Sequence, residues 1–148
     1  MSLGFKNNGV MVQEYVYDFA VDGGAVSVID LSAKDGYDPI PIGAIVKDVV
    51  MKVVTAFTSG GSATMKVGSL DDDDGFIESI AVATLADNYV SNGGKGVGAL
   101  LWDNSNDNYI PHAVLDANDG AVAINIETAA MTAGKAIFLV EYYFPSLS

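Results

Sequence analysis

Four consecutive aspartates, Asp71 to Asp74, form the densest group of potential metal ligands in this sequence. Hard cations such as Ca²⁺ bind through several oxygen atoms, and a loop rich in carboxylates offers them. Adjacent carboxylates also repel one another unless solvent or a cation neutralises them. Asp71, Asp72, Asp73 and Asp74 are therefore the first place to expect a calcium ion, and solvated side chains are the alternative.

Two further acidic loops, residues 103–107 and 116–119, also carry oxygen ligands. Asp103, Ser105 and Asp107 occupy alternate positions, as at the start of an EF-hand loop, but the turn glycine and the final bidentate glutamate of that motif are missing. Aspartates in turns commonly accept hydrogen bonds from nearby backbone N–H groups. We expect that role for most of these residues.

Groups that could perform catalysis are few. His112 is the only histidine, so a Ser-His-Asp triad would have to use it, and nothing around it resembles a nucleophile elbow. The sequence contains no cysteine, which excludes thiol catalysis, disulfides and zinc–thiolate sites. A glycan hydrolase would need two carboxylates roughly 5 to 10 Å apart across a groove, and aspartates scattered among turns do not indicate such a pair. We predict no catalytic residue and no enzymatic activity.

Trp102 and Tyr109 flank the polar turn at residues 103–108. Two aromatic rings beside polar side chains could stack on a sugar, and His112 lies close enough in the sequence to line the same cleft. A buried tryptophan that closes the end of a β-sandwich is the alternative explanation. A carbohydrate- or host-surface-binding module is therefore a second hypothesis for function.

The charge balance limits the class of partner. Nineteen acidic residues stand against seven lysines and no arginine, giving a formal net charge of -12. Nucleic acids and anionic membrane surfaces are recognised through clustered cations, so neither is an expected partner. No apolar run approaches the roughly 20 residues of a membrane helix, and the first residues show no targeting signal. An acidic surface suits a basic protein face, or serves solubility alone.

The residues between these loops alternate as β-strands do. Residues 45–57 place Val49, Met51, Val53 and Phe57 on one face, and residues 63–67 repeat the pattern after two glycines, which predicts a long central hairpin. Residues 10–21 and 25–31 predict a first hairpin in the same way. Strands are also expected at 97–102, at 122–127 and at 136–144, the last central or covered because it is almost continuously apolar.

One helix is expected, within residues 76–85, where apolar residues recur at three- and four-residue steps. The aspartates before it would then complement the exposed amides at its N-terminus. Eight to ten short strands with at most one short helix predict an all-β fold, an antiparallel β-sandwich of the jelly-roll kind. We expect a single domain over residues 11–148, after a flexible N-terminal arm over residues 1–10.

Four segments stand out together in the sequence: YDFAVDGGAVSVIDL, PIPIGAIVKDVV, VVTAFTSGGSATMKVG and MTAGKAIFLVEYYF. From about Tyr17 to Phe144 the chain thereby resembles small structural proteins encoded among the head genes of tailed bacteriophages. The resemblance rests on turns and strands and transfers no functional residue. It implies a jelly-roll decoration or accessory protein of the virion, which sits on the assembled shell, often as a trimer, and reinforces it. Such a scaffold does not require the Asp71 to Asp74 run.

The leading hypothesis is therefore a non-enzymatic virion protein, assembled in the host cytoplasm, that binds the major capsid protein lattice and cross-links it through repeated contacts. A disulfide-free β protein with aromatic strand faces has edges that subunit contacts can cover, which favours an oligomer, and the resemblance implies a homotrimer. The aromatic residues of the first and last strands either form such an interface or belong to each subunit's own core. They are Tyr15, Tyr17, Phe19, Tyr142 and Phe144.

Overall fold

The computed structural model describes residues 9–93 and 96–145, and eleven strands lie in this part of the chain. In order they are β1 Met11–Asp18, β2 Ser27–Asp30, β3 Ile45–Ser59, β4 Thr64–Ser69, β5 Ile77–Ala81, β6 Val90–Ser91, β7 Trp102–Asp103, β8 Asn108–Tyr109, β9 His112–Ala113, β10 Val122–Glu127 and β11 Met131–Tyr143. All pairings between them are antiparallel.

Nine of these strands form the two layers of a sandwich, eight in the main order of the sheets and a ninth, β9, beside one of them. Sheet A has the order β1-β11-β3-β6, with β9 paired to the start of β3, and sheet B has the order β2-β10-β4-β5. Numbered among themselves, the eight strands run 1-8-3-6 in one layer and 2-7-4-5 in the other. Only the connection between β4 and β5 joins neighbours in one sheet, which is the double Greek-key wiring of a jelly roll. The predicted all-β sandwich is confirmed.

Both predicted hairpins are wrong, although their arms are strands. β3 pairs with β11 and β4 with β10, so the glycine turn after β3 crosses from one sheet to the other. β1 and β2 are separated in the same way, because they pair with β11 and β10. Each arm has one apolar face, and consecutive arms bury these faces against each other across the core instead of pairing edge to edge.

The helix expected within residues 76–85 is also wrong. Its first half is β5, which pairs with β4 and completes the edge of sheet B, and a 3-10 turn follows at Val82–Thr84. A ten-residue apolar pattern is compatible with either a helix or a strand. Here the open edge of β4 offers backbone hydrogen bonds, so the strand forms. The two α-helices in the described residues are single turns elsewhere, α1 at Phe19–Asp22 and α2 at Ala117–Gly120, one more than predicted. No helix in the described ranges is long and apolar enough to cross a membrane.

Of the three remaining strand predictions, two are correct and one is wrong. β10 and β11 match the two closing strands, and β11 is central in sheet A, between β1 and β3. The strand predicted at 97–102 is wrong, because only Val97 makes a bridge, to Ile77, before the chain turns. Val97 and Leu101 are nevertheless buried, so the prediction is correct about the burial of this segment and wrong about its backbone conformation.

A β-bulge interrupts the alternation near the start of β3. Asp48 pairs with Glu141 and Val46 with Tyr142, which leaves Lys47 as the extra residue. Val46 and Val49 are both buried, so the side chains of Lys47 and Asp48 both lie outside the core. A bulge turns a strand in this way and redirects its side chains.

The predicted arm, residues 1–10, falls outside the described residues except for Gly9 and Val10.

Candidate functional site

Three loops meet at one end of the sandwich, which we call the loop end: residues 40–44, 69–75 and 114–120. Backbone hydrogen bonds tie them together. Gly43 N donates to Val114 O at 2.9 Å, Ile40 N to Gly120 O at 2.8 Å, and Leu70 N to Asn118 O at 3.2 Å. The loop end is therefore a cross-connected surface in which each loop holds its neighbour.

Each loop exposes one large apolar side chain. Leu115 is 77% exposed, Ile42 63% and Leu70 44%. Leu115 and Ile42 flank the backbone hydrogen bond between Gly43 and Val114, which brings their segments side by side. Single exposed apolar residues need no explanation, but three on bonded neighbouring loops form a surface suited to contact with another protein.

Two exposed carboxylates, Asp71 and Asp116, border this apolar surface, and the buried Asp119 lies behind them. Asp71 lies near Asp116 and Asp119, and the cost of removing its carboxylate from water, followed by the charge of Asp116 and a hydrogen bond to it, raises the pKa of Asp71. The Asp116 carboxylate also accepts the backbone N–H of Asp119 at 2.9 Å, which caps the start of α2. The loop end thus combines an apolar centre with an acidic border.

His112 connects β9 to this surface. Its Nε2 atom lies 2.8 Å from Oδ1 of Asp119, and Oδ2 of Asp119 accepts the backbone N–H of Leu115 at 2.8 Å. Asp119 is 8% exposed, so the imidazole and the amide satisfy a buried carboxylate. No serine or threonine hydroxyl joins the pair in the described residues, so a Ser-His-Asp triad is not assembled. The arrangement positions Leu115.

The run of four aspartates divides between two surroundings. Asp71 lies near Asp116 and Asp119, whereas one oxygen from each of Asp72, Asp73 and Asp74 lies within 4.8 Å of the others. Protein groups already reach this trio: Asn125 Nδ2 donates to Asp73 Oδ2 at 2.6 Å. Because a strand follows the run, its carboxylates do not complement a helix N-terminus. Calcium at these three residues stays a prediction.

Lys66 stands beside the same trio. Its Nζ lies 3.0 Å from Oε1 of Glu127, and that contact, together with the charges of Asp73 and Asp74, raises the pKa of Lys66. The ammonium supplies part of the positive charge that the carboxylates require.

The substitution Asp72→Asn is expected to stabilise the protein at neutral pH. Burial raises the pKa of Asp72, and a hydrogen bond and the charge of Asp74 raise it further. Above the folded-state pKa of Asp72, its ionised carboxylate therefore lowers the stability of the fold. This loss of stability disappears as the pH falls from the folded-state pKa to the ordinary pKa of an aspartate. Asp72→Asn should raise Tm by about 1–3 °C at pH 7 and by less at pH 4 in thermal denaturation.

Asp74→Asn and the double variant test the cause. Because the two carboxylates act on each other, the double variant should gain less than the sum of the single gains. Glu78→Gln, at an exposed position of β5, is the control. Strict additivity, or a drop in Tm for Asp72→Asn, would contradict this explanation.

The turn at residues 103–107 has a structural role. The Asp103 carboxylate accepts the side-chain amide of Asn106 at 2.6 Å and the backbone N–H of Ser105 at 2.8 Å. These hydrogen bonds lower the pKa of Asp103. The carboxylate is used inside its own turn, as expected for an aspartate in an Asx-type turn.

Trp102 and Tyr109 lie opposite each other in the β7–β8 hairpin. Their ring centroids are 5.0 Å apart with an interplanar angle of 90°, an edge-to-face contact. Trp102 is half-buried and packs on the core, whereas Tyr109 is 49% exposed. His112 is engaged with Asp119, and a cleft shared by these three residues stays a prediction.

The aromatic residues considered as interface candidates lie mainly in the core of one chain. Tyr15 and Tyr17 are fully buried and Tyr142 is 7% exposed, while Phe19 and Phe144 are half-buried against the same core. The Tyr17 hydroxyl donates to the Gly23 carbonyl at 2.7 Å, and burial raises the pKa of Tyr17 to about 12. Tyr15 and Tyr17 thus belong to the core of the single chain, and an interface role for the half-buried Phe19 and Phe144 stays a prediction.

Sequence reasoning missed the exposed apolar residues of the loop end. Leu70 and Leu115 each immediately precede an aspartate in a turn, and Ile42 lies between Pro41 and Gly43. A large apolar residue inside an otherwise polar turn has no strand or helix face to bury it. That pattern was a usable signal for a contact surface.

No protein-family model matches this chain, and no curated protein matches it. Solved structures do resemble it. A chain of the cyanophage Pam1 capsid asymmetric unit aligns with a TM-score of 0.63 and 19% identity, over 98% of this chain and 92% of that one. A chain of the acidic stable capsid structure of Helicobacter pylori bacteriophage KHP30 gives 0.51 and 16%, over 93% and 89%. A chain of the capsid of Ralstonia phage GP4 gives 0.50 and 14%, over 95% and 86%. At these identities the similarity establishes a shared fold.

Proposed function

We propose that this chain is a structural protein of a tailed-bacteriophage virion, a decoration or cement protein that binds the head lattice and stabilises it. The observation that carries the proposal is the end-to-end match of the jelly roll to a chain of the cyanophage Pam1 capsid asymmetric unit. Two further phage capsid structures contain chains of similar fold. The sequence resemblance to phage head proteins rests on separate grounds and points the same way.

The loop end is the proposed lattice-binding surface. Its apolar centre provides area whose burial favours association, and its carboxylates select a partner face that carries lysine or arginine. The net charge of -12 steers the protein toward such a face over longer distances. Because a capsid repeats the same face many times, an oligomer of this chain would bind several copies and gain avidity.

A homotrimer is the proposed oligomer. β1 is an edge strand of sheet A, and its first residues expose apolar side chains: Met11 is 41% and Val12 57% exposed, after Val10 at 50%. Further along, Lys34 Nζ donates to the Val16 carbonyl at 2.6 Å, so a lysine covers that part of the edge. The apolar beginning of β1 is the proposed subunit contact.

Light scattering of the purified protein at several concentrations, with and without a chelator, tests the oligomer and the calcium prediction together. We expect a trimer whose mass does not change with chelator, since the Lys66 ammonium and the Asn125 amide already interact with the acidic trio and solvent reaches the rest. A chelator-sensitive mass would place a cation at the interface. A monomer at all concentrations would contradict the trimer.

Add-back to particles that lack the chain tests lattice binding. Heads produced after deletion of the encoding gene should bind the purified protein to saturation at a fixed ratio to the major capsid protein. They should then retain their DNA to a higher temperature. Heads that neither bind the protein nor gain stability from it would contradict the proposed function.

A further inference from the structure

A shallow pocket of about 290 Å³ opens on the outer face of sheet A, and none of its lining residues belongs to the loop end described above. It is lined by two residues of β3, one each of β8 and β11, and one that follows β6: Lys47, Asp48, Tyr109, Glu141 and Asn92. Every lining side chain can form hydrogen bonds, and one of them is aromatic. The proposed head role uses none of them.

The β-bulge in β3 assembles this lining. Because Lys47 is the extra residue, both Lys47 and Asp48 point away from the core, where regular alternation would have buried one of them. Asp48 pairs directly with Glu141 on β11. Directly opposed residues have Cβ atoms about 4.5–5.5 Å apart, so two carboxylates share the pocket floor.

The opposite wall is formed by Asn92 and Tyr109. Asn92 Nδ2 donates to the Tyr109 hydroxyl at 3.1 Å, and Asn92 also forms a hydrogen bond with Asp48. Behind Tyr109, the edge-to-face contact with Trp102 fixes the ring. The exposed part of the Tyr109 ring therefore stands beside a row of fixed donors and acceptors.

The opposed carboxylates are costly to the fold. Like charges directly across a strand pair are destabilising. Burial raises the pKa of Asp48, and the charge of Glu141 raises it further. A ligand whose hydroxyl groups donate to both carboxylates would relieve this cost, and folds commonly hold such strain at binding sites.

We infer that this pocket binds a neutral saccharide. Vicinal hydroxyls of a pyranose donate to Asp48 and Glu141, the Lys47 ammonium and the Asn92 amide donate to sugar oxygens, and the Tyr109 ring packs on the apolar face of the sugar. A head-surface protein with such a site would attach the particle to glycans on a cell surface. The inference does not depend on the head role.

Titration of the whole protein with maltotriose, mannotriose and chitotriose, followed by NMR in the presence of a chelator, tests it. At least one should bind at concentrations up to roughly 10 mM, the range expected for a shallow pocket. Its binding should shift the amide signals of Asn92 and Tyr109. Asp48→Asn and Tyr109→Ala should each weaken binding about tenfold.

The variants also distinguish lost binding from lost folding. Asp48→Asn removes the repulsion, so it should keep or raise Tm while it weakens binding, and Tyr109→Ala removes a side chain that is half exposed. Glu14→Gln, another outward carboxylate of sheet A, is the control that should change nothing. Failure of all three sugars to bind, or binding that ignores both variants, would overturn the inference. So would signals at Asp48 and Glu141 that respond only to Ca²⁺ or to a lysine-rich peptide.

Discussion

Replacing Gly98 by alanine is expected to lower the free energy of unfolding by about 3 kcal/mol or more and Tm by about 10 °C. A Cβ atom at position 98 would overlap the Asp74 carbonyl oxygen and the backbone of Gly75. A Cβ at Gly68, on the other side, would overlap the Asp72 carbonyl oxygen. The acidic loop is thus held between two glycine backbones, and neither can accept a side chain unless the loop moves.

Thermal and urea denaturation of Gly98→Ala measure this effect, and Gly60→Ala provides the matched control. A Cβ at Gly60 meets nothing within 4 Å, so that substitution should change stability only slightly. Because the displaced loop carries Asp71, Gly98→Ala should also weaken lattice binding. Equal stability of the two variants would contradict the close packing described for this loop.

The double variant Ile42→Ala/Leu115→Ala is expected to weaken binding to the head lattice roughly 100-fold without loss of stability. Burial of two such side chains contributes about 3 kcal/mol to association, while both are mostly exposed in the free protein. The measurement is the binding isotherm on heads that lack the chain, together with Tm for each variant.

Val90→Ala is the control for this experiment. Val90 is 58% exposed on β6, in sheet A and outside the loop end, so its truncation should leave lattice binding unchanged. Asp71→Asn/Asp116→Asn should mainly reduce the association rate and its dependence on salt. Unchanged affinity for the Ile42/Leu115 variant would remove the loop end as the lattice-binding surface.

Local patterns in the sequence identified strands better than their partners. The apolar alternation of residues 122–127 and the continuous apolar run at 136–144 correctly predict β10 and a central β11. The same alternation in β3 and β4 suggests a hairpin, because a short glycine turn cannot be distinguished by composition from a turn that crosses between sheets. In a jelly roll most connections cross, so pairing by sequence proximity fails at most turns.

Side-chain sites were harder to predict because they depend on this wiring. Asp71 and Asp116 are 45 residues apart and meet only because the turns after β4 and β9 lie at the same end. Asp48 lies opposite Glu141 only because β3 pairs with β11 and carries a β-bulge at this point. That bulge did leave a signal, since Lys47 and Asp48 are consecutive polar residues within an alternating strand.

The central claim, that this chain is part of a phage head, is tested most directly by a cryo-EM reconstruction of the virion whose genome encodes it. The account predicts jelly-roll density of this size on the outer surface of the head at symmetric positions, with the loop end facing the shell. Particles that lack such density, and whose protein bands contain no peptide of this chain, would contradict it.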